Sequence, residues 1–188
     1  MEAFLVSAVT IALAEFGDRS LLLALVFGLK YRRPWPVFWG MLLGLFLNQL
    51  LSAWVGVLVF HWIPAEWQSL LVGAVFLIMA VWLLIPEKEE VPELKSGLGL
   101  FASAAVAFFL LEMADKTQLA VIALAGGYGL LWPVVLGATL GILALTAPAL
   151  WLSHRFADHL PVVWINRIAS GVFALLGVWL ILQNPSFS

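Results

Sequence analysis

Glu15-Phe16-Gly17-Asp18-Arg19-Ser20 and Glu112-Met113-Ala114-Asp115-Lys116-Thr117 lie 97 positions apart in a chain of 188 residues, each in the middle of a long apolar stretch. Sliding the chain against itself by that offset aligns far more than these two segments. Tyr31 falls on Tyr128, Trp35-Pro36-Val37 on Trp132-Pro133-Val134, and Gly40 and Gly44 on Gly137 and Gly141. Pro64 falls on Pro161, and Trp54, Trp67 and Trp82 fall on Trp151, Trp164 and Trp179. Eight of the ten tryptophans are thereby paired. Shared hydrophobicity alone does not align the rarest residue types, so the chain reads as an ungapped internal duplication.

The composition determines the solvent of the repeat. Hydrophobic residues make up 64% and charged residues 11%, whereas soluble domains carry about 25% charge. A bilayer span needs roughly 20 apolar residues. Spans are expected at 3–29, 37–60, 67–85, 97–125, 132–153 and 164–182, with prolines at the joins and tryptophans near the ends. The apolar runs show no period-two alternation, which argues against a barrel. The fold expected is therefore an all-α integral membrane protein of six transmembrane helices. Cysteine is absent, which rules out disulfides, thiolate metal sites and thiol nucleophiles. No basic patch suits nucleic acid, and no nucleophile–base pair suggests an enzyme. The N-terminus has neither a basic n-region nor a small-residue cleavage site and is expected to be retained.

Charge sets the expected orientation. Apart from Arg19 and Lys116, the basic residues Lys30, Arg32, Arg33, Lys88, Lys95, Arg155 and Arg167 all fall in or beside the joins after spans one, three and five. The positive-inside rule makes that side cytoplasmic and places both termini outside. A three-span unit is odd in number, so its second copy crosses in the opposite sense. The expected organisation is a first three-helix repeat at 1–86, an acidic cytoplasmic linker at 87–96, and a second, inverted repeat at 97–188. Inverted repeats in transporters place the substrate near the midplane, between the halves.

The two motifs carry the chemistry. An ionisable side chain at mid-membrane costs on the order of 3 kcal/mol, so six of them must face one another or a watery cavity. On a continuous helix, Glu15 and Asp18 share a face and Arg19 reaches back to Glu15; the same spacing relates Glu112, Asp115 and Lys116. Four carboxylates with two charge-balancing cations, Arg19 and Lys116, sum to −2, which one divalent cation neutralises. Hydroxyls of Ser20 and Thr117 and amides of Asn48, Gln49 and Gln118 extend an all-oxygen ligand set that suits Mg, Ca or Mn. Met113 neighbours Glu112 and is expected to point away. Gly17 gives the first copy a place where the helix can open and expose carbonyl ligands. Ala114 stands there in the second copy, so the two sites need not match.

Each feature also has a purely structural reading. The motifs would then be a buried ion-pair lock, although a matched pair argues against it. Asn48 and Gln49 are as well explained by hydrogen bonds between helices, and their counterparts Leu145 and Thr146 offer no second amide pair. Gly40, Gly44, Gly137 and Gly141 read as helix-packing positions. Glu87, Glu89, Glu90 and Glu93 read as a solvated linker, and His61, His154 and His159 as interfacial residues.

Glu-x-Gly-Asp-[Lys/Arg]-[Ser/Thr], present twice with an acidic central segment, resembles the signature of the Golgi-type manganese/calcium transporter family, which looks related to the lysine-exporter superfamily. The resemblance covers essentially the whole chain and departs only at Ala114. It implies Mn2+ transport with Ca2+ as the alternative substrate, exchange against H+, and ligand or proton-carrier roles for Glu15, Asp18, Glu112 and Asp115, assisted by Ser20 and Thr117. It further implies a bacterial exporter in the inner membrane that relieves cytoplasmic manganese excess. A cation channel using the same acidic ring and an exporter of lysine-like organic cations are the rival readings. A monomer and a homodimer are both compatible with six spans.

Overall fold

The two motifs break the helices that carry them. In the computed structural model, residues 1–16, 18–31, 33–85, 99–113, 115–156 and 162–184 are described. They form eight helices: α1 (Glu2–Glu15), α2 (Arg19–Lys30), α3 (Pro34–His61), α4 (Ala65–Trp82), α5 (Leu100–Leu111), α6 (Lys116–Tyr128), α7 (Leu131–Phe156) and α8 (Val162–Leu182). The expected second, third, fifth and sixth spans correspond to α3, α4, α7 and α8. The first and fourth are corrected: each is two short helices, α1 with α2 and α5 with α6. At 1.5 Å per residue α1 is about 21 Å long and α2 about 18 Å, so neither crosses a hydrocarbon core of about 30 Å by itself. Three helices are long and apolar enough to cross a membrane: α3, α4 and the Leu131–Ser153 portion of α7. Leu100–Leu111 and Asn166–Leu182 are shorter apolar helices.

Local signals explain the other boundaries. Pro34 and Pro36 open α3, where the missing N–H has no helical partner to lose. Pro64 precedes α4. Gly129, with φ 63°, takes the left-handed conformation that ends α6. Within α7 lies Pro148, and Leu152 leaves helical geometry at φ −103°, ψ 16°.

Packing runs chiefly between the halves. The broken element α1 lies on α7 and its counterpart α5 lies on α3; α2 packs on α7 and α6 on α3; α4 packs on α8, and α3 meets α7. Small residues let these pairs approach. Gly40 and Gly44 press against the carbonyls of Phe101 and Ala105 on α5, and Gly137 and Gly141 against those of Phe4 and Ala8 on α1. Phe101 and Ala105 are the 97-residue counterparts of Phe4 and Ala8, so the two contacts are the same contact made twice. A Cβ at any of the four glycines would overlap a backbone oxygen. On the α4–α8 pair Gly73 meets Gly177, and Ser170 Oγ donates to Ala80 O at 2.6 Å. These are again counterparts, Gly73 with Ser170 and Ala80 with Gly177.

The resulting particle reverses the burial order of a soluble protein. Leu5, Leu47, Ile78, Leu110, Leu140, Leu175 and Trp164 are exposed, whereas Glu15, Asp18, Glu112, Asp115 and Lys116 are buried. Apolar side chains outside and charges inside suit a hydrocarbon solvent.

Candidate functional site

Each motif places its first carboxylate at the end of one helix and its second at the start of the next. Glu15 closes α1, and Glu112 follows the last residue of α5. Asp18 and Asp115 are the N-caps of α2 and α6, with nearly the same backbone: φ −87°, ψ 170° and φ −90°, ψ 165°. The expectation of one continuous helix face is therefore corrected. Extended ψ at each aspartate turns the chain out of the helix, so Glu15 and Asp18 belong to different helices. The gain is electrostatic. Each aspartate sits where helix N–H groups present partial positive charge, and each glutamate sits at the negative end of a helix, which attracts a cation. Ala114 in place of Gly does not prevent the second break, because the Asp115 backbone matches that of Asp18.

The side chains of the two copies converge. Glu15 lies within electrostatic reach of Glu112, Asp18, Asp115 and Lys116. Two facing carboxylates repel unless a proton or cation is held between them. Lys116 Nζ donates to Asp18 Oδ1 at 2.8 Å, an ion pair between the halves with both side chains buried. That pairing corrects the expected return of Lys116 to Glu112. Likewise no donor reaches either oxygen of Glu15, and Arg19 is exposed rather than folded back upon it.

The copies match in backbone but differ in bonding. In the second, Thr117 Oγ1 donates to Glu112 Oε2 at 3.0 Å and lies 3.2 Å from Asp115 Oδ2. The Thr117 N–H caps the same aspartate at 3.3 Å. In the first, Asp18 makes no side-chain cap bond, and Ser20 Oγ is buried with no hydrogen-bond partner. The second motif is thus satisfied within itself, while the first has turned its aspartate to Lys116.

The amides divide. Asn48 Nδ2 donates to Phe109 O at 3.2 Å. That carbonyl lies in the last turn of α5, and the Met113 N–H that would take it in a continuous helix bonds to Leu110 O instead. Ser52 Oγ donates to Asn48 O at 2.8 Å. Asn48 therefore joins α3 to the broken end of α5, as the structural reading of that residue expects. Gln49 is fully buried, and both its side-chain atoms lack hydrogen-bond partners. Gln118 is half-buried on α6. Met113 is 45% exposed and points away, as expected. His61 is exposed at the end of α3. The acidic linker residues Glu87, Glu89, Glu90 and Glu93, the His154 side chain and His159 fall outside the described residues. Sequence reasoning passed over Ser7 and Thr139, whose buried hydroxyls have no partner; single hydroxyls in apolar helices carry no distinguishing pattern.

Among the described residues no three Asp, Glu or His side chains form a ready metal cage. A divalent cation here would draw on two or so carboxylates and complete its shell with hydroxyl, amide and carbonyl oxygens, a mixture such ions accept.

Comparison with known proteins covers most of the chain. A family model described as "Divalent cation/proton antiporter GDT1" matches residues 3–91 and 100–186. A Vibrio cholerae serotype O1 protein named "Putative manganese exporter" is 36% identical over 180 residues, covering 95% of this chain and 90% of its own length. A GDT1-like protein of Synechocystis sp. is 28% identical over 163 residues, covering 75% of this chain and 78% of its own. No solved structure matches the chain.

Proposed function

Since the chain belongs to the GDT1 family of divalent cation/proton antiporters, we propose that it exports Mn2+ from the cytoplasm in exchange for protons, by alternating access around the two motifs. It is read as a multi-pass membrane transporter and not as an enzyme. The observation that carries the proposal is the meeting of Glu15, Asp18, Glu112, Asp115 and Lys116, charged groups of both halves, at two mid-chain helix breaks. Such breaks line cation sites because half-helix ends present oxygen to a positive charge. Six spans in two inverted three-helix repeats, 1–86 and 97–188 about the linker 87–96, give the exchange its structural basis. Support comes from the starts of the two family matches, residues 3 and 100, 97 apart. The glycine contacts made twice at that same offset support it too. The bacterial inner membrane, with both termini outside, follows from the charge asymmetry and from the bacterial relatives.

In this mechanism Mn2+ enters from the cytoplasm between Glu15, Asp18, Glu112 and Asp115. Ser20, Thr117, Gln49 and Gln118 supply neutral oxygens. The halves rock, the ion leaves outside, and protons take its place on the carboxylates for the return. Cation and protons cancel the same charge, so the one excludes the other, which is the coupling. Manganese is preferred as cargo on the Vibrio relative's name, and Ca2+ is the alternative that the same oxygens admit.

The test is flux in proteoliposomes containing a Mn2+-sensitive dye, with and without an imposed pH gradient, and with Ca2+ in parallel. Asp18→Asn and Asp115→Asn should each abolish a saturable, proton-driven flux that the wild type shows. Undiminished flux in both variants would reduce the motifs to a structural lock. Unitary currents in a voltage-clamped bilayer would favour a channel.

A further inference from the structure

The half-helices that flank the site come together on both sides of it. On one side α2 meets α5, and the contact is aromatic. Phe27 of α2 and Phe108 of α5 are both buried, with ring centroids 6.0 Å apart and planes at 39°. That is contact spacing, with no room for water between the rings. Phe108 stands four residues before Glu112, about 6 Å along the helix, and its carbonyl accepts the Glu112 N–H at 3.2 Å. Phe27 stands nine residues beyond Asp18, about 13 Å along α2. Helical side chains lean toward the N-terminus of their own helix, so the Phe27 ring leans back toward the site and the Phe108 ring away from it, and the two meet. Tyr31 continues the stack, its ring 5.6 Å from that of Phe27, and Lys30 Nζ lies 5.5 Å from the Tyr31 ring centre. On the other side stand the counterparts. Leu124 and Ile11, which match Phe27 and Phe108, are both buried, on α6 and α1, and these helices also pack together. Tyr128, which matches Tyr31, places its hydroxyl 3.5 Å from Glu2 Oε1 at the start of α1.

We propose that Phe27 and Phe108 form the cytoplasmic gate of the cation site. While the rings touch, neither water nor a hydrated cation passes between α2 and α5; when they part, the site opens to the cytoplasm. The barrier is dewetting, since an apolar constriction too narrow for water also bars an ion that needs oxygen around it. An aromatic contact can part and re-form without leaving a buried polar group unserved, which a gate of hydrogen bonds could not do as cheaply. The side is assigned by charge: Lys30 and Arg33, at the end of α2 to which the aromatic stack leads, lie on the basic side of the chain. Ile11 and Leu124 hold the same positions on the outer side. The gate rests on the alternating-access reading above and adds to it the side chains that close one face.

The absence of cysteine permits a direct test. Ser20 is fully buried in the first turn of α2, on the site side of Phe27. Ser20→Cys reports access to the site by its rate of reaction with a charged, membrane-impermeant thiosulfonate, applied to one side at a time of vesicles of known orientation. Added to that parent, Phe27→Ala or Phe108→Ala should raise the rate from the cytoplasmic side by about fivefold or more, the lower end of ordinary conformational coupling. The rate from outside should stay the same or fall. Ile11→Ala should raise the rate from outside alone. Phe108→Val, a milder truncation, carries the same prediction as Phe108→Ala if the alanine variants fail to fold. Equal rises from both sides would make the rings ordinary core packing, and an unchanged cytoplasmic rate would put the entry elsewhere; either overturns the proposal. So does a cytoplasmic rise in Ile11→Ala. Labelling needs no transport, so the gate and the cargo fail separately. Mn2+ or Ca2+ flux with two-sided or unaltered labelling refutes the gate alone, and one-sided labelling without flux of either ion refutes the cargo alone.

Discussion

Lys116 Nζ lies 2.8 Å from Asp18 Oδ1, a buried ion pair joining residues 98 positions apart and opposite halves of the chain. It is formed because the break after Glu112 starts α6 at Lys116, so that the lysine leaves the first turn of a new helix and does not lie along the face of the old one. A pair of this kind adds little net stability over apolar packing, yet losing one partner is expensive, because the other charge stays buried.

Lys116→Gln and Asp18→Asn should accordingly each destabilise the protein by about 3–5 kcal/mol. The double variant should recover much of that loss, since no uncompensated charge remains. Thermal unfolding in detergent of the four proteins of the cycle measures the coupling. Equal, additive losses would show that the two side chains do not depend on each other. Transport should stay absent in the double variant even where its stability returns.

The two hydroxyls of the motifs should behave oppositely. The Thr117 hydroxyl lies 3.0 Å from Glu112 and 3.2 Å from Asp115, and Asp115 also accepts the Thr117 N–H, so Thr117→Val leaves the buried Glu112 carboxyl without its hydroxyl donor and should cost about 1–3 kcal/mol. Ser20 Oγ has no partner to lose, and Ser20→Ala should change stability by no more than about 0.5 kcal/mol. Its effect should appear in transport, as a raised half-saturating concentration of Mn2+. Unfolding midpoints and flux titrations on the same preparations check both halves of this prediction.

Asn48 and Gln49 are adjacent and both buried, but they should separate in the same way. Asn48→Leu removes the donor that satisfies Phe109 O at the broken end of α5 and should destabilise by about 1–3 kcal/mol. Gln49→Leu removes an amide without hydrogen-bond partners; its stability should hold or rise while cation affinity falls. Equal destabilisation by the two substitutions would show that Gln49 is structural as well.

Glycine substitutions test the contact made twice. Gly44→Ala and Gly141→Ala each drive a methyl into a carbonyl, that of Ala105 or that of Ala8, and overpacking of this kind costs typically about 1–3 kcal/mol. The two losses should be similar. Gly171, inside α8, has nothing within 4 Å of an added Cβ. Gly171→Ala should therefore stabilise by up to about 1 kcal/mol through helix propensity. Unfolding midpoints of the three variants decide it.

Much of the architecture was legible in the residues. The spacing of four between small residues predicted that Gly40, Gly44, Gly137 and Gly141 would pack closely, and the structure finds them against paired carbonyls. The cost of intramembrane charge predicted that Glu15, Asp18, Arg19, Glu112, Asp115 and Lys116 would face one another or a watery cavity; the structure buries five of them, while Arg19 is exposed. The first break was legible in part, since Gly17 marked a place where the helix can open; the second was not, since Ala114 stands there and the apolar stretch runs on through both motifs. The partner of Lys116 was misread for the same reason, since spacing along a helix predicts reach only where the helix continues.

By itself the sequence determined an all-helical chain, its duplication and the residues that must share a site, because apolar length, repeat offset and the penalty on buried charge are properties of residue type and order. Only the tertiary structure decided where the helices stop, which aspartate meets which cation, and which hydroxyls and amides remain unserved. Those outcomes depend on what each half places opposite the other. Two copies of one motif, alike in backbone, differ in bonding: Lys116 is buried against Asp18, and Arg19 is exposed.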